Sequence, residues 1–201
     1  MVLDLKETPA LKSVTINGQL SFIQNGSDVH LITSQIFVRA GSFKIGSVET
    51  PFNNEAKITI KGDRSVENLQ MGGNVRAGNK VFAITGTAEF VGKPRSRWAR
   101  LIEPVQKGST ILNVGTGLDW KEGDKIYIAP TTTQSLHSEY RTVTGYYASG
   151  RLFIDLPLDH YHFGAESSTE IEYNGLDIRG EVILLSRNIV INGEDASGHG
   201  A

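Results

Sequence analysis

The sequence contains no cysteine. Disulfides and thiolate metal sites are therefore excluded, and the fold must be held by packing and hydrogen bonds alone. No apolar run approaches the roughly 20 residues that span a bilayer. The opening "MVLDLKETPA" carries neither the basic start nor the apolar stretch of a secretory signal. Charge of one sign is scarce as well: 20 Lys and Arg stand against 22 Asp and Glu, for a net charge of −2. That balance supplies no global field for nucleic acid or an anionic membrane, so a charged partner must be met by a local patch. A soluble segment with no nucleic-acid partner and no membrane contact of its own is expected. At 201 residues the chain fits one domain, or one domain with a sizeable insertion.

What is present is a repeat. "SVTINGQLSF" (13–22) is followed some twenty residues later by "QIFVRAGSFKIG", which carries the same two apolar residues, glycine and two more apolar residues. The pattern recurs as Val14, Ile16, Gly18; Ile36, Val38, Gly41; Ile58, Ile60, Gly62; Phe82, Ile84, Gly86; and Ile189, Ile191, Gly193. Alternating apolar residues have the period of a half-buried strand, and the glycine marks a turn or a close backbone approach.

Glycines 18, 41, 62 and 86 are separated by 23, 21 and 24 residues. So steady a period indicates a solenoid. The consensus of leucine-rich repeats is missing, and no ten-residue helical periodicity lies between the strands, which leaves a parallel β-helix with rungs of about 20 residues. Val14, Ile36, Ile58 and Phe82 are then expected to stack in one column, about 4.8 Å apart per rung.

The last interval, 107 residues from Gly86 to Gly193, signals an insertion. Between Trp98 and Tyr173 lie all six tyrosines, both tryptophans and three of the five histidines. Short alternating strands split by "GTG", "KEGD" and "ASG" turns there predict a small antiparallel β-barrel. The expected organisation is β-helix rungs over 1–97, an inserted barrel-like subdomain over 98–173, and a return to rungs over 174–201.

The stretches "SVTINGQLSF", "IFVRAGSFKIGS", "PFNNEAKITIKGD", "GNKVFAITGTAEFVGKP", "DWKEGDKIYIA", "EYRTV" and "EVILLSRNIVINGED" occur in this order. Together they resemble the G-eight domain of fibrocystin (polyductin), of fibrocystin-like receptors and of the hyaluronan-depolymerising cell-surface and secreted proteins. The match is closer to the fibrocystin branch. The resemblance implies a right-handed β-helix on the outside of the cell, within a longer chain. The abrupt start at "VLDLKETP" and the end at "GEDASGHGA", where another rung would begin, agree with an excised piece of a larger protein.

Three groups of residues could carry function. Lys93, Arg95, Arg97 and Arg100 surround Trp98 in "GKPRSRWARL", and on an extended segment the first three share one face, suited to an anionic glycan. The same stretch also reads as a solvated hairpin edge with Trp98 packed beneath it as core. His160 and His162 in "DHYHF" would face one side of a strand, and with His137, Glu139 and Asp159 they are the only candidates for a metal, though no motif specifies the set. Asp119, Glu122, Asp124, Glu139, Asp155 and Asp159 offer carboxylates for glycoside hydrolysis, which needs two flanking the bond with one held protonated. "DWKEGD" reads instead as a turn in which Asp124 bonds nearby backbone. Asn25-Gly26-Ser27 is an N-glycosylation sequon, relevant in a secreted context.

The expected function is a non-catalytic extracellular module that binds a glycan or an extracellular protein, without a cofactor. The alternatives are a hyaluronan-type polysaccharide depolymerase module and a structural spacer of a long ectodomain.

Overall fold

The computed structural model describes residues 1–63, 65–165, 172–173 and 176–194. They form two compact units: Met1–Pro94 with the chain from Arg187 onward, and Arg95–Ser186. The fold is all-β. The described residues contain no α-helix, and their one helical element is a single 3-10 turn at Ser135–His137.

The first unit holds β1 (Val2–Leu3), β2 (Val14–Ile16), β3 (Gln19–Phe22), β4 (Val29–Thr33), β5 (Gln35–Val38), β6 (Ser42–Ile45), β7 (Ala56–Ile60), β8 (Gln70–Gly72), β9 (Val75–Arg76), β10 (Val81–Ile84) and β11 (Thr87–Phe90). After the second unit the chain returns as β20 (Ile189–Gly193). Apart from the β8–β9 hairpin these strands form three parallel sheets, ordered β1-β3-β6-β11, β10-β5-β2 and β20-β7-β4. The chain visits the three sheets in turn: β2, β3, β4, then β5, β6, β7, then β10, β11 and β20. Each visit pairs in register with the one before. Val14 aligns with Ile36 and Ile36 with Phe82, and Leu20 aligns with Phe43.

Ile58 departs from the expected column. It lies in the β20-β7-β4 sheet, between Leu31 and Ile191, because an alternating apolar pair builds any wall equally well and does not specify which sheet it joins. Gly62 leaves the series too. Its φ of +133° is a backbone need, and the atom nearest to an added Cβ would be Val66 Cγ2.

Glycines 18, 41 and 86 do form one series, for a steric reason. A Cβ on Gly41 would sit 1.7 Å from the Gly18 carbonyl oxygen, and one on Gly86 would sit 2.3 Å from the Gly41 carbonyl oxygen. Those carbonyls accept the N–H of Ser42 (2.8 Å) and of Thr87 (2.9 Å). The corner admits only glycine where backbone rests on backbone.

Inside the unit, Phe43 is the hub of a ring cluster, 5.6 Å from Phe22, 5.2 Å from Phe90 and 6.0 Å from Phe82 between centroids. Burial of each such ring contributes about 1.5–3 kcal/mol, and the paired geometry adds to it.

The second unit holds β12 (Trp98–Arg100), β13 (Ile111–Asn113), β14 (Lys125–Ile128), β15 (Glu139–Tyr146), β16 (Arg151–Ile154), the short pair β17 (Glu172–Tyr173) and β18 (Leu176–Asp177), and β19 (Glu181–Leu184). Six of them make one antiparallel sheet in the order β12-β19-β14-β15-β16-β13. The chain just past one edge strand meets the other where Ile102 N–H donates to the Asn113 carbonyl at 3.0 Å. One face of the sheet carries Ala99, Val182, Leu184, Ile126, Ile128, Val143, Leu152 and Leu112 into a core that also buries Trp120 and Leu158. The opposite face is therefore the one that meets solvent.

Candidate functional site

Two of the four cations of the stretch, Arg95 and Arg100, are spent on structure. Arg95 is mostly buried: its Nε donates to Asp119 Oδ2 at 2.7 Å, and its Nη2 donates to Asp124 Oδ2 at 2.7 Å and to the Asp119 carbonyl at 2.9 Å. The bond to Asp124 holds the guanidinium above its ordinary pKa, against its partial burial. Burial works against the charge of Asp119, but donors from Ser96 and Arg95 outweigh it and hold that carboxyl below the usual range. Asp124 also accepts the Lys121 N–H at 2.9 Å, closing the "DWKEGD" turn, in which Gly123 takes a φ of 86°. Arg100 is held between Asp177 (2.8 Å) and Glu181 (3.1 Å). Lys93 and Arg97 stay exposed.

Trp98 is the clearest correction. Expected as core, it is 50% exposed, whereas Trp120 is 4% exposed and donates its indole N–H to the Ser96 carbonyl at 2.7 Å. The alternation of β12 explains this: Ala99 points into the core, so Trp98 and Arg100 point out.

The histidine and carboxylate candidates form two pairs. His137 and His160 stack with centroids 4.1 Å apart and planes 15° apart. His162, fully buried, sets Nδ1 3.0 Å from the Ala129 carbonyl and Nε2 2.9 Å from Glu139 Oε1. Both ring nitrogens are therefore engaged by protein oxygens. Glu139 also accepts the N–H of Asp159 (2.8 Å) and of His160 (3.0 Å), and it pairs with Arg141. Burial alone would raise its pKa, but these donors outweigh that and hold it below the usual carboxylate range. Among the described residues no three His, Asp or Glu side chains converge to hold a metal.

The remaining carboxylates fare similarly. Asp155 is held low because the Thr142 and Leu156 N–H groups outweigh its desolvation. Asp159 bridges to Arg141 at 3.2 Å, and Glu122 stands exposed in its turn.

Trp98 also belongs to a second group, whose other members carry no signal of function in the sequence. Register pairs Trp98 with Ile183, Ile183 with Tyr127, and Tyr127 with Tyr140. The four side chains thus form one row across β12, β19, β14 and β15, on the face opposite the core. Tyr140 is 68% exposed, and Tyr127 and Ile183 are half-buried. The local signal was present in "KIYI", where Ile126 and Ile128 point inward and force Tyr127 out. The partners of that row come from distant strands and could not be read locally.

A model of the G8 domain matches residues 1–102. The chain belongs to the G8 domain family. Among characterised proteins it is similar to fibrocystin-L of Mus musculus, 30% identical over 195 residues, which are 94% of this chain and 4% of that protein. Fibrocystin of Canis lupus familiaris is 26% identical over 188 residues, 91% of this chain and 4% of that protein. A G8 domain-containing protein of Dictyostelium discoideum is 22% identical over 198 residues, 96% of this chain and 12% of that protein. The chain thus spans a small fraction of each relative's length. Among solved structures, the Gp54 tailspike of an Acinetobacter baumannii bacteriophage aligns over 86% of this chain and 23% of its own, with a TM-score of 0.34 and 11% identity, a likeness below that of a shared fold. No helix among the described residues is long and apolar enough to cross a membrane.

Proposed function

We propose that the chain is a non-catalytic extracellular ligand-binding or adhesion module of a much longer fibrocystin-like protein, directed at glycan or matrix. The observation that carries this reading is the G8 domain match, with fibrocystin relatives aligned over most of this chain but only 4% of their own length. Three parallel sheets visited in turn support a short right-handed parallel β-helix as the scaffold. The six-stranded antiparallel sheet supports a small inserted barrel.

For three of the six carboxylate candidates the chemistry favours binding over hydrolysis. A glycosidase pair needs one carboxyl held protonated, whereas Asp119, Glu139 and Asp155 are all held ionised by their donors. Of the cationic stretch, Arg97 and Trp98 are the members of the second unit left exposed to a ligand.

The test is a glycan and matrix-protein array with the purified domain, alongside size analysis of hyaluronan incubated with it. Binding without shortening is the expected result. Reproducible shortening of hyaluronan would overturn it in favour of a depolymerase, and absence of any binding would leave the role of a structural spacer.

A further inference from the structure

The outward face of the second unit breaks the rule that governs half-buried antiparallel sheets. Such a sheet is apolar within and polar without. Here the row Trp98, Ile183, Tyr127 and Tyr140 puts three aromatic rings and an isoleucine on the solvent side of four adjacent strands. The row spans three strand spacings, roughly 14 Å. Both ends stand well out, Trp98 at 50% and Tyr140 at 68% exposure. An apolar row that is half-buried at its centre and exposed at both ends costs solubility and is the kind of surface that recognition uses.

The rings are held in place. Arg100 lies over the Trp98 ring, 5.2 Å from its centroid, and is itself fixed by Asp177 and Glu181. Asp177 is in turn tied to Arg179, whose bond brings its pKa down to about 2. At the other end Tyr127 and Tyr140 meet edge to face at 5.2 Å. Lys125 Nζ donates to Thr142 Oγ1 at 2.6 Å, alongside the row. A platform ordered in advance loses little side-chain entropy when a ligand arrives.

The rim decides the ligand. Arg100 pairs with Asp177 and Glu181 and Arg179 with Asp177, while Lys125 is bonded to Thr142, so charges of both signs are interleaved and the surface carries no field of one sign to draw a polyanion or a polycation. Exposed aromatic rings offer apolar surface to the C–H faces of sugar rings, and the surrounding hydroxyl, carboxylate and ammonium groups suit sugar hydroxyls. The row also crosses the strands, whereas an added peptide strand would follow a sheet edge. The geometry points to this face as a binding platform for an uncharged glycan chain, anchored at its two exposed ends by Trp98 and Tyr140. This inference rests on the glycan-directed reading above and replaces its cationic stretch with an aromatic surface.

The experiment uses the whole 201-residue chain. Linear hexasaccharides of glucose, mannose and galactose are titrated beside hyaluronan and heparin fragments of similar length, at about 50 and 500 mM salt, where surface electrostatics are weakly and strongly screened. At least one neutral hexasaccharide binds with an affinity indifferent to salt. Trp98→Ala and Tyr140→Ala each weaken that binding about fivefold or more, Trp98→Phe retains most of it, and the thermal unfolding midpoints stay close to the parent's. Neutral-glycan binding untouched by both alanine variants overturns the platform while leaving a glycan-directed module standing. Binding confined to hyaluronan or heparin, and lost at high salt, overturns the neutral class alone. Binding to none of the panel overturns the platform and the glycan-directed reading together.

Discussion

Asn188 and Lys93 are 95 positions apart, yet the side-chain Oδ1 of Asn188 accepts the backbone N–H of Lys93 at 2.9 Å. The same amide donates to the carbonyls of Phe52 and Asn54, both at 2.7 Å. One side chain thus ties the point where the chain leaves the first unit to the point where it returns. Asn188→Ala leaves three backbone groups without their partner. Each such loss costs about 1–3 kcal/mol when buried, so a total near 3 kcal/mol is expected, read as a lower unfolding midpoint. A change below about 0.5 kcal/mol, the usual range of a surface substitution, would show that the tie is incidental.

The glycine corner predicts a contrast between two chemically identical changes. At Gly41 a methyl group would collide with the backbone of Gly18, and at Gly18 nothing lies within 4 Å of the new atom. Gly41→Ala is expected to cost about 3 kcal/mol, the upper range for overpacking. Gly18→Ala is expected to be near neutral. Equal costs in denaturant titration would contradict the stacking argument.

Arg95 and Arg97 separate in the same way. If the whole cationic stretch were solvated, removing either arginine would change stability little. Because Asp124 is 3% exposed and paired with Arg95, Arg95→Ala strands a buried charge and is expected to cost about 3 kcal/mol. Arg97→Ala is expected to stay within about 0.5 kcal/mol. Calorimetry on the two variants decides the matter.

Acid should act on the second unit through Glu139, Asp119 and Asp155, all held below their ordinary pKa. A depressed native pKa contributes stability that is fully present above the ordinary carboxylate range, near pH 4, and lost as pH falls through the native values. The near-ultraviolet signal of buried Trp120 is expected to melt at progressively lower temperature below pH 4. Glu139→Gln should lower the stability at pH 7 by about 3 kcal/mol and flatten the acid slope. An unchanged slope would mean that the Glu139 carboxylate is not among the groups that titrate there.

Asn25 offers a simpler check. It is exposed in a turn, where its Oδ1 accepts the Ser27 N–H at 3.1 Å beside Gly26 at a φ of 87°. Expressed through a secretory pathway, the chain should gain a glycan that Asn25→Gln abolishes, visible by mass.

Much of the architecture was legible because it is written in short-range pattern. The alternation Val14, Ile16 and Ile36, Val38 identifies strands and their inward faces, since side chains alternate along any extended backbone. The corner glycines were legible for a similar reason, as only glycine tolerates backbone pressed against its Cα. Family membership was legible because it lies in the order of such motifs along the chain.

The tertiary structure decided what depends on partners far away in sequence. Ile58 carries the same local pattern as Ile36, and only strand pairing assigns it to the wall of Leu31 and Ile191. Arg95 and Arg97 look alike in "PRSRW", and only the folded chain brings Asp119 and Asp124 to one of them. Trp98 and Trp120 are the same residue type in the same unit, and the pleat of an edge strand turns one outward while the core takes the other. Alternation fixes the two faces of a strand, but which face meets the core, and which residues line up across neighbouring strands, is settled only when all six strands of the sheet are in register.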